Sequence, residues 1–331
     1  MKIAFFDTHN FEKETFDQAN SLHHHFINFL DPILTELTAV LAKDHECVCA
    51  FTNDQLNEKT LDILAAGGTR LIALRSAGFN HVDLAHAKKL GLKIVRVPEY
   101  SPYAIAEHVV AMIQTLNRKT HRAYNRVREG NFSLNGLVGF DLHGKTVGII
   151  GAGKIGKILA KIMTGFGCHV LLNDLNCDTN LIKELGCQFV SLDELFVKSD
   201  IISLNVPLTP ETRHFINADT LKKMKKGVML INTGRGGLID TRALITALKT
   251  GLVGNAGLDV YEEEQAVFFQ DLSGTILSDD ILARLLTFPN VLITSHQAFL
   301  TKEALENIAT TTLENITQFS KHERLINEVS G

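Results

Sequence analysis

Tryptophan is absent from the 331 residues, and cysteine occurs only 5 times, at positions 47, 49, 168, 177 and 187. An odd number of cysteines with no C-x-x-C pair gives no sign of zinc or of a redox dithiol, and fits reduced, buried thiols in a cytosolic protein. Cys47 and Cys49 alternate through an apolar run, which places both on one face of a strand. An excess of charge of one sign is also missing. Lys and Arg total 33 against 37 Asp and Glu, so no basic field draws nucleic acid or an anionic membrane. No apolar run approaches the roughly 18 residues of a membrane span. Lys2 is followed by only four apolar residues before Asp7, too few for the core of a signal peptide. A cytoplasmic protein without nucleic-acid or membrane partners is expected. There are no repeats and no low-complexity segments. His23, His24 and His25 are consecutive and lack Asp or Cys partners at ligand spacing, so no metal site is expected there.

What remains is an ordinary globular composition, 45% hydrophobic and 21% charged, long enough for about two domains of roughly 150 residues. Short apolar runs alternate with helical patterns almost from end to end, the mark of βαβ units and a mostly parallel sheet. Strands are expected at 2–6, 26–30, 47–51, 71–74 and 93–97, with a helix over 81–90 that Gly91 stops. A long helix then runs from Pro102 to about Arg128. Ile105, Val109, Met112, Ile113 and Leu116 form its apolar stripe. A helix of this length suits packing between domains or against a second subunit, and the sequence does not separate the two. From Lys145 onward strands are expected at 146–150, 169–173, 188–190, 201–205, 228–232, 255–259 and 291–294. A capping box over 191–194 (SLDE) and a final helix over 302–319 accompany them. Lys222, Lys223, Lys225 and Lys226 stand at a helix end before Gly227, where cations suit the dipole, and read as a solvated cluster.

Gly151, Gly153 and Gly156 spell G-x-G-x-x-G between a strand and a helix, and a second strand runs up to Asp174, 18 positions after Gly156. Such a loop turns tightly at the first glycine, admits a pyrophosphate at the second and packs helix on strand at the third. The helix N-terminus offers free N–H groups to phosphate. A carboxylate near this spacing binds the adenosine ribose, and no Arg or Lys follows Asp174, so NAD is expected rather than NADP. A glycine-rich turn without a ligand is the competing reading, and the complete strand–loop–helix–strand–acid context weighs against it.

Ligands of open parallel sheets sit beyond the carboxyl ends of the strands. Arg235 in NTGRGGLID, Asp259 in GLD, Glu264 in DVYEEE and His296 in TSH all stand there and should converge on the cofactor edge. The chemistry is that of hydride transfer to a carbonyl. His296 would protonate the developing alkoxide. Glu264 would orient its ring and stabilise its charged form. The Arg235 fork would hold a carboxylate and polarise the adjacent carbonyl. Each residue alone has a plainer reading, as a structural His, a surface Arg or a solvated acidic turn. Their convergence beside a dinucleotide loop favours the catalytic one.

These segments, with LRSAGFNHVDL (74–84), VPEYSPYAIAEH (97–108), GIIGAGKIG (148–156), VPLTPET (206–212) and TSHQAF (294–299), resemble those of the D-2-hydroxyacid dehydrogenases over essentially the whole chain. The stretch after Glu264, QAVFFQDLSGTILSDD, is similar to that of the family's fermentative D-lactate branch and lacks the Glu-Pro turn of the glycerate and formate branches. The resemblance implies an α/β enzyme of two Rossmann-like or flavodoxin-like doubly wound parallel-sheet domains with a cleft between them. The substrate domain would be discontinuous, 1–101 with 299–331, around an NAD-binding domain at 102–298. It implies reduction of pyruvate to D-lactate by NADH, with Arg235, Glu264 and His296 catalytic. Ile155, Gly156, Asp174, Val206, Pro207, Thr212, Thr233, Gly234 and Asp259 would meet the cofactor. Ala77, Gly78, Tyr100 and Phe299 would line the substrate site with Arg235 and His296. It places the 102–128 helix in a homo-oligomer interface, dimer or tetramer. Another 2-keto acid (phenylpyruvate, a branched-chain acid or hydroxypyruvate) and a non-catalytic NAD-sensing regulator are the alternatives. Asn205 and Asn173 depart from the family, which usually has His and an aromatic residue there, and both flank the cofactor.

Overall fold

The computed structural model describes residues 1–329. Its chain divides into two compact units, Met1–Ser101 with Leu300–Gly331, and Pro102–Phe299. The first contains β1 (Lys2–Phe5), α1 (Asn10–Asn20), β2 (Phe26–Phe29), β3 (Cys47–Ala50), α2 (Glu58–Ala66), β4 (Leu71–Leu74), α3 (Leu84–Lys89) and β5 (Lys93–Arg96). The second contains α4 (Pro102–Arg118), α5 (Thr120–Arg128), β6 (Thr146–Ile150), α6 (Lys154–Gly165), β7 (His169–Asn173), α7 (Thr179–Leu185), β8 (Gln188–Phe189), α8 (Leu192–Lys198) and β9 (Ile201–Leu204). It continues through α9 (Ala218–Lys222), β10 (Val228–Asn232), α10 (Thr241–Lys249), β11 (Val253–Leu258), α11 (Asp280–Leu286) and β12 (Val291–Ile293). Helix α12 (Lys302–Ser320) returns to the first unit.

The first sheet is parallel in the order β2-β1-β3-β4-β5, the flavodoxin-like arrangement. Ala4, Val48, Ala50, Ile72 and Leu74 pack on one side with Leu61 and Leu64 of α2. The alternate residues Ile3, Phe5, Cys47, Cys49 and Leu71 are equally buried, and the face they form is covered by Phe16 of α1 and by α12. Both faces being covered, the strands read as unbroken apolar runs. Cys47 and Cys49 share a face as expected, and burial pushes their thiols up, that of Cys49 to about 12. Cys168 and Cys187 are buried too, but Cys177 is exposed, which corrects the expectation of five buried thiols.

The second sheet is parallel in the order β12-β11-β10-β9-β6-β7-β8. The chain starts in the middle at β6, moves outward through β7 and β8, and then crosses to β9 on the other side. Strand order therefore reverses between β6 and β9, and a doubly wound sheet opens its ligand crevice at that point. Helices α4 and α6 cover one face through Val109, Met112, Ile113, Leu116, Leu159 and Met163, and α8 and α10 lie on the other among Phe196, Leu244 and Leu248. Each fully buried Leu or Ile contributes about 1.5–3 kcal/mol.

Most expected strands end within a residue of the observed ones, and four local readings are corrected. The helix over 102–128 is two helices, because Lys119 takes left-handed backbone (φ 51°, ψ 36°). A returning segment compensates for the break. Asn117 exchanges hydrogen bonds with both backbone groups of Phe140 at 2.8 Å, and the Lys119 ammonium donates to the Val138 carbonyl. The helix expected over 81–90 starts only at Leu84, where the Asp83 carboxylate caps the His86 N–H at 2.9 Å. Ser191 caps α8, but Glu194 turns to Lys198 at 2.6 Å and leaves the capping box half made. β11 begins two residues early, at Val253, across a register shift where Gly254 lies against Gly227. The lysine cluster is solvated but paired: Lys222, Lys223 and Lys225 meet Asp219, Asp193 and Asp200. His23 Nδ1 and His25 Nε2 both meet the Thr317 hydroxyl of α12, at 2.8 and 2.9 Å.

Candidate active site

The glycine loop joins β6 to α6 at the reversal of strand order. Gly151 has φ +95°, a conformation L side chains rarely adopt, and an added Cβ would lie 2.5 Å from the Asn205 carbonyl. A Cβ on Gly156 would overlap the Gly151 carbonyl, so the helix seats on the loop only without a side chain there. Gly153 differs. Its φ of −70° suits any residue, and nothing of the protein lies within 4 Å of a Cβ placed on it. The space at Gly153, in front of the α6 N-terminus, is open, and an anionic pyrophosphate fits the free N–H groups there. Asp174, just past β7, accepts from the Ala152 N–H at 2.7 Å and the Asn176 N–H at 2.9 Å, and its carboxylate keeps lone pairs for hydroxyl donors. Asn205 Oδ1 and Thr233 Oγ1, just past β9 and β10, are buried without a partner in the protein. The loop, the acid and these two atoms fit a dinucleotide. Val206 packs against Gly151, Ile155 lies in the first turn of α6, and the Thr212 hydroxyl is used within its own turn, donating to the Pro207 carbonyl at 2.7 Å. Asn173 donates to the Val190 carbonyl at 2.8 Å, tying β7 to the segment after β8.

Past β12 the chain makes a strained turn at His296 (φ +50°), and Asp259 holds that turn in place. The His296 N–H donates to the Asp259 carbonyl at 2.7 Å. The Asp259 carboxylate accepts from the Thr294 hydroxyl at 2.6 Å and from the N–H groups of Gln297 and Ala298 at 2.9 and 3.0 Å. Asp259 is fully buried. Burial acts to raise its pKa, but the hydrogen bonds from His108 and Thr294, with the field of His296, hold it below the usual carboxylate range. So placed, His296 meets Glu264 Oε1 through Nδ1 at 2.8 Å, and Glu264 Oε2 accepts from the Tyr261 N–H at 2.9 Å. A carboxylate at Nδ1 fixes a proton there and makes Nε2 the nitrogen that exchanges a proton with a ligand. Arg235 stands past β10, its loop pinned by Asn232, whose amide donates to the Arg235 carbonyl at 2.9 Å and accepts from the Gly234 N–H at 3.0 Å. Its Nη1 donates to the Gly234 carbonyl at 2.7 Å. Phe299, nearly buried, closes the unit.

Ala77, Gly78 and Tyr100 belong to the first unit. The loop after β4 is held by Arg96, which donates to the Ala77 carbonyl at 2.6 Å, and by Ser76, which donates to the Gly78 carbonyl at 2.8 Å. Arg75, wholly buried at its base, pairs with Glu12 through two contacts of 2.9 Å and lies between the rings of Phe5 and Phe51. The Tyr100 carbonyl accepts from Asn307 of α12 at 2.7 Å.

Sequence reasoning passed over His108, whose Nε2 lies 3.2 Å from the Thr294 hydroxyl and 3.5 Å from Asp259. It also passed over Glu262 and His214. Their signals were present, since His108 closes the VPEYSPYAIAEH run and His214 follows VPLTPET by two residues, but spacing alone gave them no partner.

Residues 110–298 match the family model of the D-isomer specific 2-hydroxyacid dehydrogenase NAD-binding domain. The chain belongs to the D-isomer specific 2-hydroxyacid dehydrogenases. It is 51% identical to 2-hydroxyacid dehydrogenase homolog 1 of Schizosaccharomyces pombe over 321 residues, 97% of this chain and 96% of that one. It is 48% identical to D-lactate dehydrogenase of Escherichia coli over 329 residues, 99% of this chain and all of the other. The solved structure of the pyruvate reductase of Chlamydomonas reinhardtii superposes with a TM-score of 0.92 at 44% identity, covering 99% of this chain and 98% of that one. As a family member the chain is an NAD-dependent oxidoreductase acting on 2-hydroxy acids, and the matched residues 110–298 are its NAD-binding domain. No helix among the described residues is long and apolar enough to cross a membrane.

Proposed function

We propose that this dehydrogenase reduces pyruvate to D-lactate, with His296 as acid/base, Glu264 as its partner and Arg235 as the binder of the substrate carboxylate. The observation that carries the reading is the Glu264–His296 contact of 2.8 Å on a turn held by buried Asp259. NADH, when bound, supplies the hydride that reaches the substrate C2. His296, charged by a proton on Nε2, gives that proton to the oxygen as negative charge develops there, and Glu264 stabilises the ring while it is charged. Arg235 grips the carboxylate with its fork and polarises the neighbouring carbonyl. Asp259, expected on the nicotinamide side, is buried and instead positions the His296 turn from inside the protein. Asp174 takes the ribose hydroxyls, and Gly151, Gly153 and Gly156 admit the phosphates, with Val206, Pro207, Thr212, Thr233 and Gly234 alongside. Ala77 and Gly78 offer backbone N–H groups to the substrate, with Tyr100 and Phe299 as further walls. Pyruvate as substrate is supported by the relatives named for lactate and pyruvate. The assignment of substrate to 1–101 with 299–331 and of nucleotide to 102–298 is supported by the two compact units, which divide one residue later, after Phe299, and a homo-oligomer through α4 and α5 is supported by the exposed Tyr103, Tyr124 and Val127.

A panel of 2-keto acids with NADH and NADPH tests the substrate. Pyruvate with NADH is expected to give the highest kcat/KM, and a clear preference for phenylpyruvate, a branched-chain acid or hydroxypyruvate would overturn the lactate reading. Tight NADH binding with no turnover on any keto acid would favour a regulator. The absence of tryptophan leaves cofactor fluorescence free of indole emission.

A further inference from the structure

Glu262 stands two residues before Glu264, and the proposed chemistry gives it no part. Its Oε1 meets His214 Nε2 at 2.5 Å, and its Oε2 accepts from the N–H and the hydroxyl of Thr241 at 3.1 and 2.7 Å. Burial acts to raise its pKa, but the bonds from Thr241 and His214 outweigh it, so the carboxyl sits below its usual range and is ionised at neutral pH. Charge-assisted bonds of this kind are about twice as strong as neutral ones.

The three partners come from three separate segments. His214 ends the segment that carries Val206, Pro207 and Thr212. Thr241 opens α10, directly after the loop that carries Thr233, Gly234 and Arg235. Glu262 itself lies in the turn that carries Glu264. Backbone contacts seal the same junction. The His214 N–H donates to the Gly237 carbonyl at 2.8 Å, with His214 at φ +50°, and Gly236 has no room for a side chain against Tyr261 and Glu262. The Tyr261 N–H, one residue before Glu262, donates to Glu264 Oε2. Helix α10 does not need this carboxylate as a cap, because Asp240 already accepts from the Ala243 N–H at 3.0 Å.

We infer that Glu262 is a positioning residue, holding the Glu264–His296 pair in register with the Arg235 loop and with the segment from Val206 to Thr212. This rests on the acid/base reading of His296. None of Glu262, His214 and Thr241 is given a contact with the reacting atoms, so they act through the groups they place.

The test is steady-state kinetics on pyruvate, normalised to NADH-binding sites titrated by fluorescence, for Glu262→Ala, Glu262→Gln and His296→Ala. A misplacement near 1 Å costs up to about a hundredfold, so Glu262→Ala is expected to lower kcat per NADH-binding site by about ten- to hundredfold. NADH Kd should change far less. Glu262→Gln, which still accepts from Thr241, should recover most of the loss. A Glu262→Ala enzyme with normal kcat per binding site and only a lower Tm would overturn the inference, as would a Gln variant no better than Ala. Should Glu262→Ala not fold, Thr241→Val removes the hydroxyl bond and His214→Asn the imidazole bond, and each should lower kcat several-fold. Unchanged kcat in both would also overturn it. If His296→Ala keeps full turnover, the acid/base reading itself fails and this inference goes with it. An inactive His296→Ala beside a normal Glu262→Ala removes the inference alone.

Discussion

Arg235 and His296 divide the proposed chemistry between a fixed bidentate fork and a group that gives and takes a proton. Their substitutions should therefore fail differently. His296→Ala removes a general acid, a role that contributes about 10²–10⁴-fold, so kcat should fall by that order with NADH Kd nearly unchanged. A near-normal kcat would take His296 out of the mechanism. Arg235→Lys keeps the charge but not the bidentate geometry. A hydrogen bond to a charged group contributes about 1.5–3 kcal/mol, so kcat/KM for pyruvate should drop about ten- to hundredfold. Unchanged kinetics would contradict the carboxylate role. Both residues were legible in the sequence because each follows an apolar strand directly and the glycine loop marks which sheet edge matters. Asp259 and Glu264, which hold His296, were legible for the same reason, but His108 and Glu262 were not. His108 reaches Thr294 across 186 positions, and Glu262 reaches His214 across 48. Such pairs exist only once the sheet has been wound.

The element that sets the cofactor edge is the β6–loop–α6 unit, and its glycines predict separable effects. Gly156→Ala drives a methyl into the Gly151 carbonyl, so it should both destabilise the unit, by about 1–3 kcal/mol, and weaken NADH binding. Gly153→Ala meets no protein atom within 4 Å, so Tm should hardly move while NADH Kd rises. Thermal melts with and without NADH check both, and equal binding in the Gly153 variant would remove the phosphate role of that glycine. The strands of both sheets were legible because burial on two faces leaves unbroken apolar runs. The break at Lys119 was not, because lysine carries no turn signal and the left-handed residue is held by Asn117, Val138 and Phe140. The early start of β11 was hidden for a similar reason. Gly254 looks like a breaker in sequence, but in the fold it admits the close approach of Gly227.

On the scale of the whole chain, the first unit is completed by α12, which packs on α1 and on the histidine loop that follows it, and pH acts at that loop. Burial, the N-terminal charge and His23 lower His25 from 6.5 to about 4, and its Nε2 shares the Thr317 hydroxyl with His23, itself lowered by burial. A folded pKa below the unfolded one means that the unfolded chain takes up the proton first as pH falls. Stability from this site is present above pH 6.5 and is lost as pH falls towards 4. Tm measured across that window should decline, and His25→Gln should flatten the decline; an equal slope in the variant would exclude the site. The same contact has a consequence for biosynthesis. Lys302 follows Asn20 by 282 positions, so at about 5–20 residues per second α1 waits on the order of 10–60 s for its partner to be made. Through that interval the sheet face bearing Ile3, Phe5, Cys47 and Leu71 lacks α12, while every strand of the second unit has already been synthesised. The unit whose strands are made first is thus the last to be completed, and its apolar face waits longest for its cover.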